Sequence, residues 1–270
     1  METMTPDPGS RGGAPGYATV GGLRLYHEVH GEGRPLVLLP GGFMTLEALG
    51  PLLPALAADR RVIAVELEGH GRTADLDRPL SVDQMAHDVA GLIEQLGLGA
   101  VDLFGFSLGG MAALRLAILH PERVRKLVVV SAGYGADGFY PATMVGWPSM
   151  SAKTFAGSPA ERAYLDVAPQ PERWAGFVDK VKLCLMGSRG WPLAEVAAIK
   201  ATVLLALGDA DLVRPEHALE MFRLLGGARP DGGLEGPTAS QLAVLPGATH
   251  FDILDRPELT PMVARFLDAE

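Results

Sequence analysis

A serine flanked by glycines is the first feature of this sequence that points to chemistry. Ser107 lies at the centre of residues 105–109, whose sequence GFSLG fits the pattern Gly-x-Ser-x-Gly. The preceding residues, 101–104, predict a buried strand, and residues 108 to about 120 predict a helix. A serine exposed at a sharp strand-to-helix turn needs small neighbours, because backbone segments approach closely there. The pattern therefore predicts that Ser107 is a nucleophile.

A nucleophilic serine needs a base, since its free hydroxyl is weak at neutral pH, and the base needs a group that orients it. His250 is the candidate base, because it follows the last predicted strand and would lie at the same sheet edge as Ser107. Two carboxylates, Asp209 and Asp211, follow the strand predicted at residues 202–207. Either position could supply the orienting group.

Five short segments occur in the order found in one known family. They are residues 39–43 (LPGGF), 68–73 (EGHGRT), 105–110 (GFSLGG), 208–215 (GDADLVRP) and 246–250 (PGATH). With these segments the chain resembles the α/β-hydrolase family, of the kind with a small helical cap, from about Leu23 onward. The resemblance implies a catalytic triad in the chain order serine, acid, histidine. It favours Asp211 as the acid and leaves Asp209 as a turn residue.

An intermediate formed at Ser107 would need two preorganised hydrogen-bond donors for its oxyanion. The backbone N–H of Leu108, at the start of the helix, is the first predicted donor. The resemblance implies that the second is the backbone N–H of Gly42, with Phe43 next in line. Pro40 stands where the family usually has a histidine. This departure affects the support of the loop but leaves the backbone donors in place.

The rest of the chain alternates short apolar strands with helices, which predicts an α/β fold with a mostly parallel sheet covered on both faces. We expect a β-hairpin over residues 17–29, a helix over 46–58 and a helix over 81–96 that Ser81 caps. Residues 1–16 predict a disordered tail and residues 17–270 a single domain. The alternation stops at about 132–199, where we predict an inserted helical cap.

Large aromatic side chains are concentrated in this predicted cap. We expect six of them to line an apolar substrate pocket above Ser107: Phe139, Tyr140, Trp147, Phe155, Trp174 and Trp191. Ordinary packing among cap helices would explain the same enrichment, so both interpretations stand at this stage.

Composition bears on the classes of function. The net charge of −9 argues against a nucleic-acid partner, and the sequence has no apolar run long enough to predict a membrane span. Cys184 is the only cysteine, so no internal disulfide can form, and we expect a cytoplasmic protein. His27 and His30 are one residue short of the zinc-binding His-Glu-x-x-His spacing. We predict no metal and no cofactor, and the oligomeric state has no signature in the sequence.

Together these features predict a cofactor-independent serine hydrolase. The expected substrate is a small apolar carboxylic ester or a lactone, hydrolysed through an acyl-enzyme. The same triad would serve an acyltransferase, a thioesterase, a carbon–carbon bond hydrolase or a perhydrolase. A non-catalytic small-molecule receptor of the same fold is the alternative from a different class.

Overall fold

A computed structural model describes residues 14–230, 236 and 238–269 of the chain. Within these residues, eight strands form one sheet. They are β1 (Ala14–Val20), β2 (Leu23–His30), β3 (Arg34–Leu39), β4 (Arg60–Val65), β5 (Val101–Phe106), β6 (Val124–Val130), β7 (Thr202–Ala210) and β8 (Gln241–Thr249). The strand order in the sheet is β1-β2-β4-β3-β5-β6-β7-β8. The first two pairings are antiparallel, and all pairings from β4 to β8 are parallel.

Helices connect the strands. In the described ranges they are α1 (Leu52–Leu56), α2 (Val82–Gln95), α3 (Leu108–Leu119), α4 (Pro141–Gly146), α5 (Pro159–Val167), α6 (Trp174–Gly187), α7 (Leu193–Ala197), α8 (Pro215–Leu224) and α9 (Leu259–Asp268). One apolar cluster joins the sheet to α2, α3 and α8, and a second joins it to α1 and α9. Neighbouring residues of one strand point to opposite clusters, as Leu103 and Phe104 of β5 do. Helices therefore cover both faces of the sheet, which confirms the predicted α/β fold.

Local sequence signals explain two of the elements. Gly21 and Gly22 join β1 to β2 with φ values of 55° and 83°, a turn conformation that favours glycine, and the predicted hairpin is confirmed. Ser81 caps α2 by accepting a hydrogen bond from the backbone N–H of Gln84 at 3.1 Å. The side chain of Gln84 donates to Asp88 instead of returning to the cap, so only half of a capping box is present.

Two predicted segments differ from the structure. The helix expected over 46–58 is split into a 3₁₀ turn (Leu46–Leu49) and α1. Gly50, with φ of 51°, ends the first part, and Pro51 has no N–H with which to continue it. Residues 1–13 of the expected tail lie outside the described residues, but residues 14–16 belong to β1 and pair with β2.

The predicted cap region lies between β6 and β7. Residues 131–201 contain the four helices α4–α7 and several short 3₁₀ turns, with no strand of the sheet. Helix α6 is the longest of the four. It buries Phe177, Val178 and Val181 in the same apolar cluster that holds α3 and the sheet, so this helix is anchored to the strand layer.

Candidate active site

Ser107 occupies the turn between β5 and α3. Its φ of 51° and ψ of −119° lie outside the regions that side-chain-bearing residues prefer, and the neighbouring residues make room for the turn. A Cβ on Gly105 would lie 2.4 Å from the carbonyl oxygen of Gly109. A Cβ on Gly109 would lie 2.3 Å from the carbonyl oxygen of Pro40. Both positions therefore require glycine, as the Gly-x-Ser-x-Gly pattern predicts.

Three side chains from three strand ends form one chain of hydrogen bonds. His250 Nε2 lies 3.0 Å from Ser107 Oγ, and His250 Nδ1 lies 2.9 Å from Asp211 Oδ1. Ser107 follows β5, Asp211 follows β7 and His250 follows β8. Because these strands are parallel, their carboxyl ends share one edge of the sheet. The structure thus brings together the three residues that the sequence predicts as a triad.

Asp211 is held by more than the histidine. Ser131 donates its hydroxyl to Asp211 Oδ2, and the backbone N–H of Gly208 donates to the same oxygen at 3.1 Å. The N–H of Val213 donates to Oδ1 at 3.2 Å. Burial alone would raise the pKa of Asp211, but these hydrogen bonds and His250 outweigh burial and keep the pKa below its usual value. Asp211 is therefore held as a carboxylate.

Ser131 was not identified from the sequence. It follows β6 at the same edge of the sheet, with a φ of 52°. Asp209 is exposed, and its carboxylate accepts a hydrogen bond from the N–H of Gly247 at 2.9 Å. This contact links the ends of β7 and β8 and is the one expected of a turn residue.

The three predicted backbone donors belong to two neighbouring segments. Leu108 is the first residue of α3, and Gly42 and Phe43 lie in the loop after β3. A Cβ on Gly42 would lie 3.6 Å from Leu108 Cδ2, so the loop and the helix are in contact. Within the described residues, the N–H groups of Gly42, Phe43 and Leu108 donate to no protein acceptor. They are free to bind an oxyanion, which is the role that the sequence predicts for them.

A pocket of about 260 Å³ opens beside Ser107. It is formed by the loop after β3, the end of β5 and the segment after β8. Its lining residues are Gly41, Gly42, Met44, Ala48, Phe106, Ser107, His250, Phe251, Leu254 and Asp255. None of the six cap aromatics that the sequence predicts as pocket residues is among them.

The six aromatics occupy several different places. Phe155 and Trp174 pack against the ring of Phe43, with centroid distances of 4.6 and 6.0 Å. Phe139 and Trp147 pack against each other at 5.0 Å in a separate cluster.

The other two lie elsewhere. Trp191 lies under the guanidinium of Arg115 and lines a different cavity, of about 370 Å³. Tyr140 is 40% exposed. The six rings therefore do not form one cluster, since most of them contact partners among residues 131–201 and in the loop after β3, and their role in substrate binding stays a prediction.

A second histidine near the site is buried. His70 Nδ1 lies 3.0 Å from the carbonyl oxygen of Glu68, and its ring meets the edge of Phe177 at 4.8 Å. Burial lowers the pKa of His70 to about 4. These contacts fit a structural role in the loop after β4 and not that of a base.

Comparison with known proteins identifies the family. The sequence model of the alpha/beta hydrolase family matches residues 36–260. The chain belongs to the alpha/beta hydrolase family. In the described residues, no helix is both long and apolar enough to cross a membrane. The same residues contain no group of three His, Cys, Asp or Glu side chains placed to bind one metal ion.

Several relatives of this alpha/beta hydrolase are known by sequence. It is 37% identical over 123 residues to RutD of Azorhizobium caulinodans, a proposed carbamate hydrolase, and the match covers 46% of each chain. It is 26% identical over 198 residues to the (E)-2-((N-methylformamido)methylene)succinate hydrolase of Acinetobacter baylyi, covering 70% of this chain and 72% of the relative. The first three curated matches span 46%, 35% and 42% of those proteins, less than half of each.

Solved structures resemble the whole alpha/beta hydrolase. The 2-hydroxy-6-oxo-6-phenylhexa-2,4-dienoate hydrolase of Rhodococcus sp. strain RHA1 superposes with a TM-score of 0.74 at 19% identity, covering 95% of this chain and 99% of that one. The enol-lactonase of Burkholderia xenovorans LB400 gives a TM-score of 0.71 at 21% identity, covering 94% and 100%. At these identities the likeness is one of fold.

Proposed function

We propose that this alpha/beta hydrolase is a serine esterase that cleaves small carboxylic esters, lactones included, through an acyl-enzyme and without a cofactor. The observation that carries the proposal is the continuous hydrogen-bond chain from Ser107 through His250 to Asp211, beside an open pocket. A hydroxyl that contacts an oriented imidazole is the arrangement that activates a serine for acyl transfer.

The two ring nitrogens of His250 have different roles in the proposed acylation step. His250 Nε2 accepts the proton of Ser107 as Oγ attacks the ester carbonyl, while Asp211 fixes the tautomer in which Nδ1 carries hydrogen. The oxyanion that forms accepts hydrogen bonds from the backbone N–H groups of Leu108 and Gly42, with Phe43 as the reserve donor. His250 then gives its proton to the leaving alkoxide, which departs and leaves the acyl-enzyme.

The second half of the reaction repeats these steps with water. His250 takes a proton from a water molecule, whose oxygen attacks the acyl carbon. The bond to Ser107 Oγ breaks, Oγ recovers the proton, and the carboxylic acid leaves. No redox partner or metal is required, because every proton moves between oxygen and His250.

The size and lining of the pocket support a small substrate. Its volume of about 260 Å³ lies just below the usual range of ligand pockets, which is about 300–1,000 Å³. Met44, Phe106 and Leu254 present apolar surface to it. Each methylene that enters should contribute up to about 0.8 kcal/mol. The specificity constant should therefore rise over the first few carbons of the substrate and then level off.

A labelling experiment tests the nucleophile. A fluorophosphonate probe should modify Ser107, identified by peptide mass spectrometry, and the Ser107→Ala variant should remain unmodified. Ser149→Ala changes an exposed serine of the cap and is the matched control, which should be labelled like the wild type. Labelling of Ser107→Ala at the wild-type level would refute the assignment.

A substrate panel tests the reaction. p-Nitrophenyl esters of increasing acyl length should be turned over, and lactones and thioesters run in parallel separate the alternatives that use the same triad. A thioesterase or an acyltransferase would prefer a thioester or an added alcohol acceptor. Tight binding of an ester without turnover would instead favour the non-catalytic receptor.

A further inference from the structure

The mouth of the pocket combines an exposed aromatic ring with a carboxylate. Phe251 is 83% exposed, and its ring meets that of His250 edge-on at a centroid distance of 5.5 Å. Asp255 ends the 3₁₀ turn after β8, and a Cβ on Gly50 would lie 3.7 Å from its Oδ1. Phe251 and Asp255 both line the pocket that contains Ser107.

The side chain of Asp255 is exposed and lines the pocket. Within the part of the chain that the structure describes, its carboxylate has no ion pair and accepts no hydrogen bond, although its backbone N–H donates to Asp252. No lysine or arginine lines the pocket. Two arginines belong to or contact segments that form the pocket, since Arg256 follows Asp255 in sequence and Arg72 contacts Glu47, the residue before Ala48.

Both arginines are paired with other groups. Arg72 pairs with Glu47 and with the buried Glu66. Arg256 donates to the carbonyl oxygen of Gly247 and pairs with Asp252. Apart from His250, the pocket therefore presents one unpaired negative charge, no positive charge and an accessible aromatic face.

This combination is suited to a cation. We propose that the substrate of this enzyme carries an ammonium-type group, which lies between the carboxylate of Asp255 and the ring of Phe251. The inference rests on the proposed esterase function and specifies the class of its substrate. A trimethylammonium group has a methyl surface, so it also suits the apolar side chains of Met44 and Leu254, which line the same pocket.

The expected preference follows from two exposed contacts. An exposed ion pair contributes about 1.5- to 5-fold in affinity. A cation over an exposed aromatic ring contributes about 2- to 5-fold. A cationic ester should therefore exceed its neutral isostere by about 3- to 25-fold in kcat/KM. An anionic ester should be disfavoured, because it would approach an unpaired carboxylate.

Matched isosteres measure this preference directly. Butyrylcholine is compared with 3,3-dimethylbutyl butyrate, which replaces the nitrogen by carbon on the alcohol side. Ethyl 4-(trimethylammonio)butyrate is compared with ethyl 5,5-dimethylhexanoate, which makes the same replacement on the acyl side. We expect a preference of 3- to 25-fold for the cation in the pair whose charge reaches the mouth.

Variants assign the preference to the two residues. Asp255→Asn should lower the cation-to-neutral ratio of kcat/KM by about 1.5- to 5-fold. Phe251→Leu should lower it by about 2- to 5-fold while keeping apolar surface. Asp59→Asn is the control, because Asp59 is exposed at the opposite edge of the sheet, where β4 begins, and the change in net charge is the same. It should leave the ratio unchanged.

A binding measurement completes the test without turnover. Butyltrimethylammonium should give saturation-transfer NMR signals with Ser107→Ala and weaker signals with the double variant that adds Asp255→Asn. If neutral esters are hydrolysed but neither pair shows a cation preference, the inference is wrong. It is also wrong if the Asp255→Asn and Asp59→Asn variants have the same cation-to-neutral ratio of kcat/KM. If no ester is hydrolysed and Ser107 is not labelled, the proposed esterase function fails instead, and the NMR signals alone decide the cation site.

Discussion

Replacing Ser107 by glycine should leave the protein more stable than replacing it by alanine. Both variants lose the hydroxyl and its 3.0 Å contact with His250. They differ in the backbone, because φ of 51° with ψ of −119° is a conformation that suits glycine and strains a residue with a Cβ. Ser107→Ala keeps this strain, and Ser107→Gly removes it.

The size of the difference can be bounded. Strain of this kind costs about 1–3 kcal/mol. Glycine gives some of the gain back, because its unfolded chain has more conformational freedom, by about 0.4–1 kcal/mol. The glycine variant should therefore exceed the alanine variant by about 1 kcal/mol in the free energy of unfolding, and by no more than about 2.5 kcal/mol.

Urea denaturation of the two inactive variants measures this difference, with the slope m checked for equality. Glu94, exposed on α2, provides the control pair, since Glu94→Gly should be less stable than Glu94→Ala by about 0.5–1 kcal/mol. We therefore expect alanine to be the more stable substitution at Glu94 in the helix and glycine to be the more stable one at Ser107 in the turn. An alanine variant at Ser107 that equals or exceeds the glycine variant would refute the claim that the turn is strained.

Three further results are expected. Asp211→Asn should reduce kcat by about 10⁴-fold because the tautomer of the base is lost, whereas Asp209→Asn, which touches only the turn, should cost less than tenfold in the same ester assay. Because the pKa of His70 is lowered to about 4 in the folded protein, the unfolded chain takes up a proton at this position first as the pH falls. The contribution of His70 to the free energy of unfolding is therefore complete above about pH 6.5 and is lost towards pH 4. This loss should reach about 3 kcal/mol in denaturation curves and be absent in His70→Asn. Gly109→Ala, whose Cβ would lie 2.3 Å from a carbonyl oxygen, should destabilise the fold by about 1–3 kcal/mol and lower kcat.

The triad was predictable because each member follows an apolar strand. Parallel strands place their carboxyl ends together, so the sequence predicts Ser107, His250 and either Asp209 or Asp211 at one edge of the sheet. The choice of Asp211 rests on the resemblance to the family. Ser131 also follows a strand, but a serine at a strand end has no pattern of its own. Only its hydrogen bond to Asp211, seen in the structure, distinguishes Ser131 from other serines at strand ends. The break in the first helix did have a signal, the missing N–H of Pro51.

The pocket could not be predicted because its walls depend on contacts between distant segments. Met44 follows β3, Phe106 ends β5 and Leu254 follows β8, so residues that are far apart in sequence meet at the pocket. Phe251 and Asp255 lie in a short irregular segment. Neither the two-residue repeat of a strand nor the 3.6-residue repeat of a helix applies there, so the sequence pattern does not predict which side chains are exposed. Their exposure at the mouth is a property of the folded chain.

The assembly of the site from distant strands has a consequence for biosynthesis. Ser107 and His250 are 143 residues apart in sequence. At roughly 5–20 residues per second, the ribosome adds the histidine about 7–30 s after the serine. The strands that flank Ser107 in the sheet, β3 and β6, are complete by Val130, whereas the histidine arrives with β8, which pairs only with β7. The contact between Ser107 and His250 can therefore form only after β8 has paired with β7, so Ser107 stands without this partner while the chain is being made.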